Sequence, residues 1–282
     1  MKMNLSLFLA LALLGGCGSP SDTTAPAEPE IPDAGAPLPA LEPPPPLPEV
    51  PREVYEAAVA NPGRSETDRE RDGSRKPADV LAFFRIAPGM RVFDLYSGGG
   101  YYAELLSYVV GPTGAVTAHN NQPYLGFAAD EIAPRYAADR LPNVTQLIAE
   151  NNELTIEAGR YDAVTMILAY HDVYYADPEN GWAPIDGPKL LAEIYGALKP
   201  GGVIGVVDHY APLGSPSSTG NTTHRIDLDL LVADFKAAGF VLEDTSDMLR
   251  NLEDDRSILV FDPAVRGRTD RFVLRFRKPM QG

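Results

Sequence analysis

Met90-Arg-Val-Phe-Asp94-Leu-Tyr96-Ser-Gly98-Gly99-Gly100-Tyr101-Tyr102 opens the stretch that decides the fold, and Gly114-Ala-Val-Thr-Ala-His-Asn120 closes it. A hydrophobic run leads into Asp94, and three glycines follow. A short amphipathic helix pattern starts near Tyr101, and a second β-run ends at Asn120. Strand, glycine turn, helix and strand form a unit that holds an adenosine-containing cofactor at a helix N-terminus. Glycine there admits close backbone approach and dihedrals that a side chain forbids. The spacing does not fit the dinucleotide fingerprint Gly-x-Gly-x-x-Gly, because Ala103 stands at its sixth position.

An acid four positions before Gly98 fits another pattern, (D/E)-x-G-x-G-x-G. This resembles motif I of the class I S-adenosylmethionine-dependent methyltransferases: Asp94, Gly98 and Gly100 match, and Tyr96 stands where the first glycine is expected. Asn143-Val-Thr-Gln-Leu-Ile-Ala-Glu150-Asn151 resembles the family's third strand, and Tyr161 to Ala169 reads as a buried fourth. Leu198-Lys-Pro-Gly-Gly before Val203 to Asp208 resembles its turn into strand five, where proline stops a helix and glycines reverse the chain. Phe240–Leu249 and Arg271–Arg277 give two more strands. The order predicts an α/β fold with a seven-stranded, mostly parallel, doubly wound sheet (a Rossmann-like methyltransferase fold) under an N-terminal helical cap. Arg64-x-x-x-x-Arg69, Arg75-Lys-Pro, His171-Asp172, His224-Arg-Ile-Asp and Val260 to Asp270 are similar to segments of a group of exported bacterial methyltransferases.

The resemblance implies S-adenosylmethionine as cofactor. Asp94 would hold its methionyl ammonium, and the amides of Gly98 and Gly100 with the following helix N-terminus would hold its carboxylate. Asn120 would meet the ribose, where an amide offers one acceptor oxygen and a carboxylate two. Glu150 and Asn151 would meet the adenine.

The ends set the expected compartment. Lys2 precedes an apolar run from Leu5 to Leu14, too short for a comfortable membrane span, so residues 1–16 read as a signal peptide. Leu14-Gly-Gly-Cys17 resembles a lipobox, which would leave a lipidated Cys17 as the sole membrane attachment. Gly18 after that cysteine suits an outer-membrane lipoprotein facing the bacterial periplasm. Cys17 is the single cysteine, so no disulfide or Cys-based metal site is available. Residues 17–50 are proline-rich and read as an extended tether that buries no core, leaving 51–282 as the domain with a cap over 51–76. The chain is net −15, and one lysine against six acids in residues 1–50 leaves −10 for the rest. Such a surface repels phosphates, which points to a small-molecule substrate and away from nucleic acid.

The cap reads as a helix from Arg52 to Ala60 and a charged stretch, Arg64 to Lys76, able to bring an arginine to an anionic group. Three of the four histidines fall in the loops that leave strands four and five: His171 beside Asp172, His209 beside Asp208, and His224 beside Arg225. For methyl transfer, the protein must orient a nucleophile and remove a proton. His171, oriented by Asp172, and His209 are the candidate catalytic groups. Tyr101, Tyr102, Tyr174 and Trp182 would wall the acceptor pocket, with His224 and Arg225 closing over it. No short His-x-x-His motif assigns a metal, yet three histidines and a carboxylate remain an alternative ligand set. A lipid-anchored binding protein and a metal-dependent hydrolase on the same scaffold are the rival readings.

Overall fold

The computed structural model describes residues 45–280. The expected signal peptide, Cys17 and tether up to residue 44 lie outside the described residues. Three helices come first: α1 (Arg52–Val59), α2 (Glu66–Arg75) and α3 (Pro77–Phe83). The Ser65 side chain caps α2 by accepting from the Asp68 amide at 3.1 Å. Lys76 then takes a left-handed conformation, and Pro77 starts the next helix.

The sheet strands are β1 (Arg91–Leu95), β2 (Ala115–Asn120), β3 (Val144–Ile148), β4 (Tyr161–Ile167), β5 (Leu198–His209), β6 (Val241–Ser246) and β7 (Arg271–Arg277). The helices between them are α4 (Tyr101–Val110), α5 (Gln122–Arg135), α6 (Gly187–Ala197), α7 (Thr219–Thr223) and α8 (Leu228–Ala237). The seven strands form one sheet in the order β3-β2-β1-β4-β5-β7-β6. The first five pair in parallel, and β7 runs antiparallel to both of its neighbours. The central strands are apolar on both sides because both faces are covered. On one face Phe93, Val164, Met166, Ile204 and Val206 pack against α6 and α8 through Leu190, Ile194, Leu231 and Phe235. On the other, Val92, Ala163, Val203 and Val207 pack against α3 and α4 through Leu81, Leu105 and Leu106. Gly205 leaves room for the Phe84 ring, which a Cβ there would strike.

Three boundaries differ from expectation, one of them β6, which ends at Ser246 rather than Leu249. Leu198-Lys-Pro-Gly-Gly belongs to β5: Leu198 pairs with Tyr161, the ladder is interrupted, and it resumes at Val203 opposite Ala163. Residues 45–50, assigned to the tether, lie on the domain, where Leu47 and Val50 pack at the α1 side and Arg277 donates to the Pro45 carbonyl. Among the described residues no helix is long and apolar enough to cross a membrane.

Candidate functional site

A cavity of about 640 Å³ opens at the carboxyl ends of β1, β4 and β5, the place where open parallel sheets bind ligands. One end is the glycine turn, with Tyr96, Ser97, Gly98, Gly99, Arg71 and Arg75. The other holds His171, Asp172, His209 and His224.

The glycine turn is held from below and from above. Tyr96, Gly98 and Gly100 all have positive φ, so this tyrosine occupies a backbone conformation usually left to glycine. From β2, Asn120 Oδ1 accepts from the Gly98 amide at 2.8 Å, and its Nδ2 donates to the Gly98 carbonyl at 3.0 Å. From α5, Glu131 covers Gly99, and a Cβ at Gly100 would lie 2.5 Å from the Tyr136 hydroxyl. Arg135 donates to the Gly99 carbonyl and pairs with Glu104 and, at 2.7 Å, with Asp68. One buried guanidinium thus joins α2, α4, α5 and the turn.

Several polar atoms here have no partner. Asp94 Oδ1 accepts from Thr165 at 2.7 Å, while among the described residues its Oδ2, the Ser97 hydroxyl and the Tyr96 hydroxyl are buried with no partner at hydrogen-bond geometry. Burial pushes the Asp94 carboxyl up to about 6, against the Thr165 hydrogen bond. Arg75 lies over the Tyr101 ring, 4.6 Å from its centroid, and among the described residues it pairs with no carboxylate. Buried polar atoms normally find partners, so these groups are available to a ligand at the turn.

At the other end, the 3-10 turn Tyr170–Tyr174 follows β4 and presents His171 and Asp172. Asp208, fully buried in β5, holds His171 twice: one oxygen accepts its backbone amide at 2.8 Å, and the other faces Nδ1 at 2.7 Å. Asp172 Oδ1 lies 3.3 Å from His171 Nε2 and 3.5 Å from His224 Nδ1. Its second oxygen accepts from the Tyr124 hydroxyl at 2.5 Å. Burial draws the His171 pKa down, but Asp208 and Asp172 outweigh it and hold the ring up at about 9. His209 is driven well below the ordinary histidine range by burial and by the neighbouring positive groups. Its Nδ1 lies 2.7 Å from the Thr269 hydroxyl.

His224 reaches the cluster through local backbone geometry. Helix α7 packs against the 170–174 turn at Gly220, where a Cβ would stand 2.5 Å from the His171 carbonyl. His224 ends that helix in the left-handed region, φ 52, and Phe261 and Tyr175 both pack against its ring.

The structure therefore sorts the expected site residues. Gly98, Tyr101, His171, Asp172, Trp182, His209 and His224 line the cavity. Asp94 does not line it, though Tyr96, Ser97 and Gly98 just after it do. Gly100, Asn120, Glu150, Asn151, Tyr102, Tyr174 and Arg225 do not line it. Asn120 is occupied by Gly98. Glu150 accepts from the Gln122 amide at 3.1 Å and so caps α5. Asn151 is buried, with Oδ1 unpaired. Gly100 sits under Arg135 and Tyr136, Tyr102 is buried within the α4 core, and the Tyr174 hydroxyl donates to Asp234. Arg225 is no lid residue: fully buried, it pairs with Asp254 through both terminal nitrogens at 2.9 and 3.0 Å and donates to the Ile258 and Tyr210 carbonyls. It anchors the loop that carries Phe261. His171 is oriented chiefly by Asp208, with Asp172 on the cavity side.

Tyr124, Thr269 and Phe261 went unread in the sequence. Asn121-Gln-Pro just after β2 is a helix-start signal and could have placed Tyr124 one turn into α5 at the rim. Phe261 and Thr269 fall in the Val260 to Asp270 segment noted for its resemblance, but nothing local assigns them to the site, because they arrive from a long connection.

No family model matches the chain. A 134-residue stretch, 47% of this chain, is 30% identical to the ubiquinone/menaquinone biosynthesis C-methyltransferase of Psychromonas ingrahamii, covering 48% of that protein. A 142-residue stretch is 29% identical to the protein-L-isoaspartate O-methyltransferase of Hyperthermus butylicus, covering 47% of this chain and 51% of the relative. The chain thus spans about half the length of the curated relatives it matches. Among solved structures, a SAM dependent methyltransferase from Aquifex aeolicus aligns with a TM-score of 0.50 and 19% identity, over 81% of this chain and 99% of that one. The seven-stranded α/β sheet is the class I methyltransferase fold.

Proposed function

We propose that this protein is an S-adenosylmethionine-dependent methyltransferase acting on a small molecule. The observation behind this is the cavity that starts on the glycine turn after β1 and ends at the histidines after β4 and β5. The residues at the turn fit the methionyl end of the donor. Asp94 Oδ2, the Ser97 hydroxyl and the Tyr96 hydroxyl offer unpaired polar atoms, Gly98 has open space beside it, and Arg75 offers a free cation for a carboxylate. At the adenosine end Asn120 is engaged by Gly98, while Glu150 keeps its second carboxylate oxygen and Asn151 an unpaired Oδ1 for a ligand.

When bound, the donor supplies an electrophilic methyl group. The protein's own part is to orient the acceptor, exclude water and take a proton from it. The rings of Tyr124, Phe127, Tyr175 and Trp182 line the cavity, and Tyr124 and Tyr175 pack against Trp182 there. His209 lines the cavity with Nδ1 beside the Thr269 hydroxyl, and in the tautomer where Nδ1–H donates to that hydroxyl its Nε2 takes the acceptor's proton. His171 and Asp172 orient the acceptor.

Calorimetric titration of the purified protein with S-adenosylmethionine and S-adenosylhomocysteine tests the reading. Asp94→Ala should weaken binding by about 1.5–3 kcal/mol, and no binding at millimolar ligand overturns it. The internal use of Asn120 and Glu150 favours one second reading, a ligand-binding protein on the same fold. Donor binding without any transfer of labelled methyl into small-molecule extracts would support it.

The N-terminal sequence supports export and anchoring through a lipidated Cys17, with the proline-rich segment as spacer. Acyl chains contribute about 0.8 kcal/mol per buried methylene, so Cys17→Ser should release the protein from the membrane fraction. Retention of that variant would overturn the reading.

A further inference from the structure

We propose that His171, Asp172 and His224 form a binding site for a divalent cation of the zinc type, open to the cavity. One ligand atom from each of the three lies within 4.8 Å of the other two. The Asp172 oxygen is 3.3 Å from His171 Nε2 and 3.5 Å from His224 Nδ1. Zinc bonds of about 2.0–2.1 Å at tetrahedral angles require ligand atoms roughly 3.3 Å apart, so these separations already match two edges of the tetrahedron.

The surroundings are built as metal ligands need them. Asp208 engages His171 Nδ1, which turns Nε2 toward the cluster, and Tyr124 donates to the Asp172 oxygen left over. A carboxylate behind a ligating histidine and a hydrogen bond to a ligating carboxylate orient the ligands and tune their basicity. Phe261 and Tyr175 both pack against the His224 ring, with centroids 4.9 and 5.0 Å away. Charge points the same way. The buried carboxylates of Asp172 and Asp208 stand beside the three ligand atoms, and a dication there balances them where burial makes unpaired charge costly. Two histidines and one carboxylate leave coordination positions free. These face the cavity, so the ligand class there is an ionisable oxygen or sulfur atom, such as the hydroxyl or thiol of a methyl acceptor. The site goes beyond the methyltransferase reading and does not need it.

The test uses chelator-treated full-length protein titrated with zinc chloride alone by calorimetry, and with cobalt(II) by visible absorption. One equivalent should bind at roughly micromolar or tighter affinity, with the absorption of low-coordinate cobalt. His224 is partly exposed, so His224→Ala keeps the fold, as circular dichroism should show, and should weaken the metal at least about 100-fold. Tyr124→Phe leaves all three ligands and should weaken it about 10-fold or more. Binding of S-adenosylhomocysteine, measured on the same samples, separates failure of this site from failure of the donor site. The same three side chains could instead be a protonated His171 held between carboxylates, which takes up no metal. No uptake at about 100 μM zinc, or uptake untouched by His224→Ala and by Asp172→Asn, overturns the proposal.

Discussion

At the glycine-turn end of the cavity, several polar side chains around the motif are spent inside the fold. Asn120 holds both polar atoms of Gly98, Glu150 caps α5, and Arg135 ties the Gly99 carbonyl to Asp68 and Glu104. At the histidine end, the side chains face one another and the cavity, while their supports stand behind them: Asp208 behind His171, Tyr124 behind Asp172, Thr269 beside His209. The first region uses polar groups to fix a backbone shape, and the second uses backbone shape to converge polar groups. A motif residue is thus not automatically a ligand contact, and a residue with no local motif can sit at the centre of the chemistry.

The largest effect should fall at the histidine end. His209→Ala should lower the methyl-transfer rate by about 10²–10⁴-fold while calorimetric affinity for S-adenosylhomocysteine stays level. An unchanged rate would move the proton acceptor elsewhere. Asp208→Ala removes the acceptor of two backbone amides and of the His171 ring in a fully buried place. It should cost about 3–5 kcal/mol in urea unfolding, and Asp208→Asn should cost less because it keeps an acceptor oxygen.

At the glycine-turn end, Asn120→Asp distinguishes the two uses of that residue most sharply. If Asn120 clamps Gly98, losing its Nδ2 donor strands a carbonyl and should cost about 1–3 kcal/mol of stability. A gain in donor affinity at unchanged stability would instead make position 120 a ribose contact and erase the contrast between the two ends.

A further expected effect concerns pH, below the glycine turn. His119 is buried in β2, its Nε2–H donates to the Ala149 carbonyl, and burial lowers its pKa to about 4. The unfolded chain therefore binds the proton first, so this group's stabilisation is complete above pH 6.5 and is lost as pH falls toward 4. Asp94, raised to about 6 by burial, acts in the opposite sense: its contribution is complete below about 4 and is lost as pH rises through 6. The wild-type curve shows only their difference. Relative to wild type, His119→Gln should gain stability, about 2–3 kcal/mol, as pH falls from 6.5 to 4. Parallel curves for the two proteins would place the His119 pKa near its ordinary value.

Much of the fold was legible because its signals are local. The apolar runs of β1, β4 and β5 follow from burial on both faces, and Gly98 and Gly100 declare a turn with positive φ. Boundaries were less legible where tertiary contacts extend an element. The β5 ladder reaches back across Pro200 to Leu198, and Leu47 and Val50 are drawn onto the domain by apolar contacts with distant residues. At the site, His171, His209 and His224 stood out because three of four histidines share two loops. Arg225 was misread because no sequence signal says that Asp254, twenty-nine positions away, waits to pair with it.

The amino-acid sequence by itself determined the strand–turn–helix register, the position of the carboxyl-end rim and the loops that carry the histidines, since periodicity and glycine act over a few residues. The tertiary structure decided which polar groups are free. Asn120 and Glu150 became internal partners and Arg225 a buried anchor, while Tyr124, Asp208, Thr269 and Phe261 became supports of the histidine cluster. A hydrogen bond or ion pair claims its partner by distance in space, and distances between loops leaving different strands exist only once the sheet has formed.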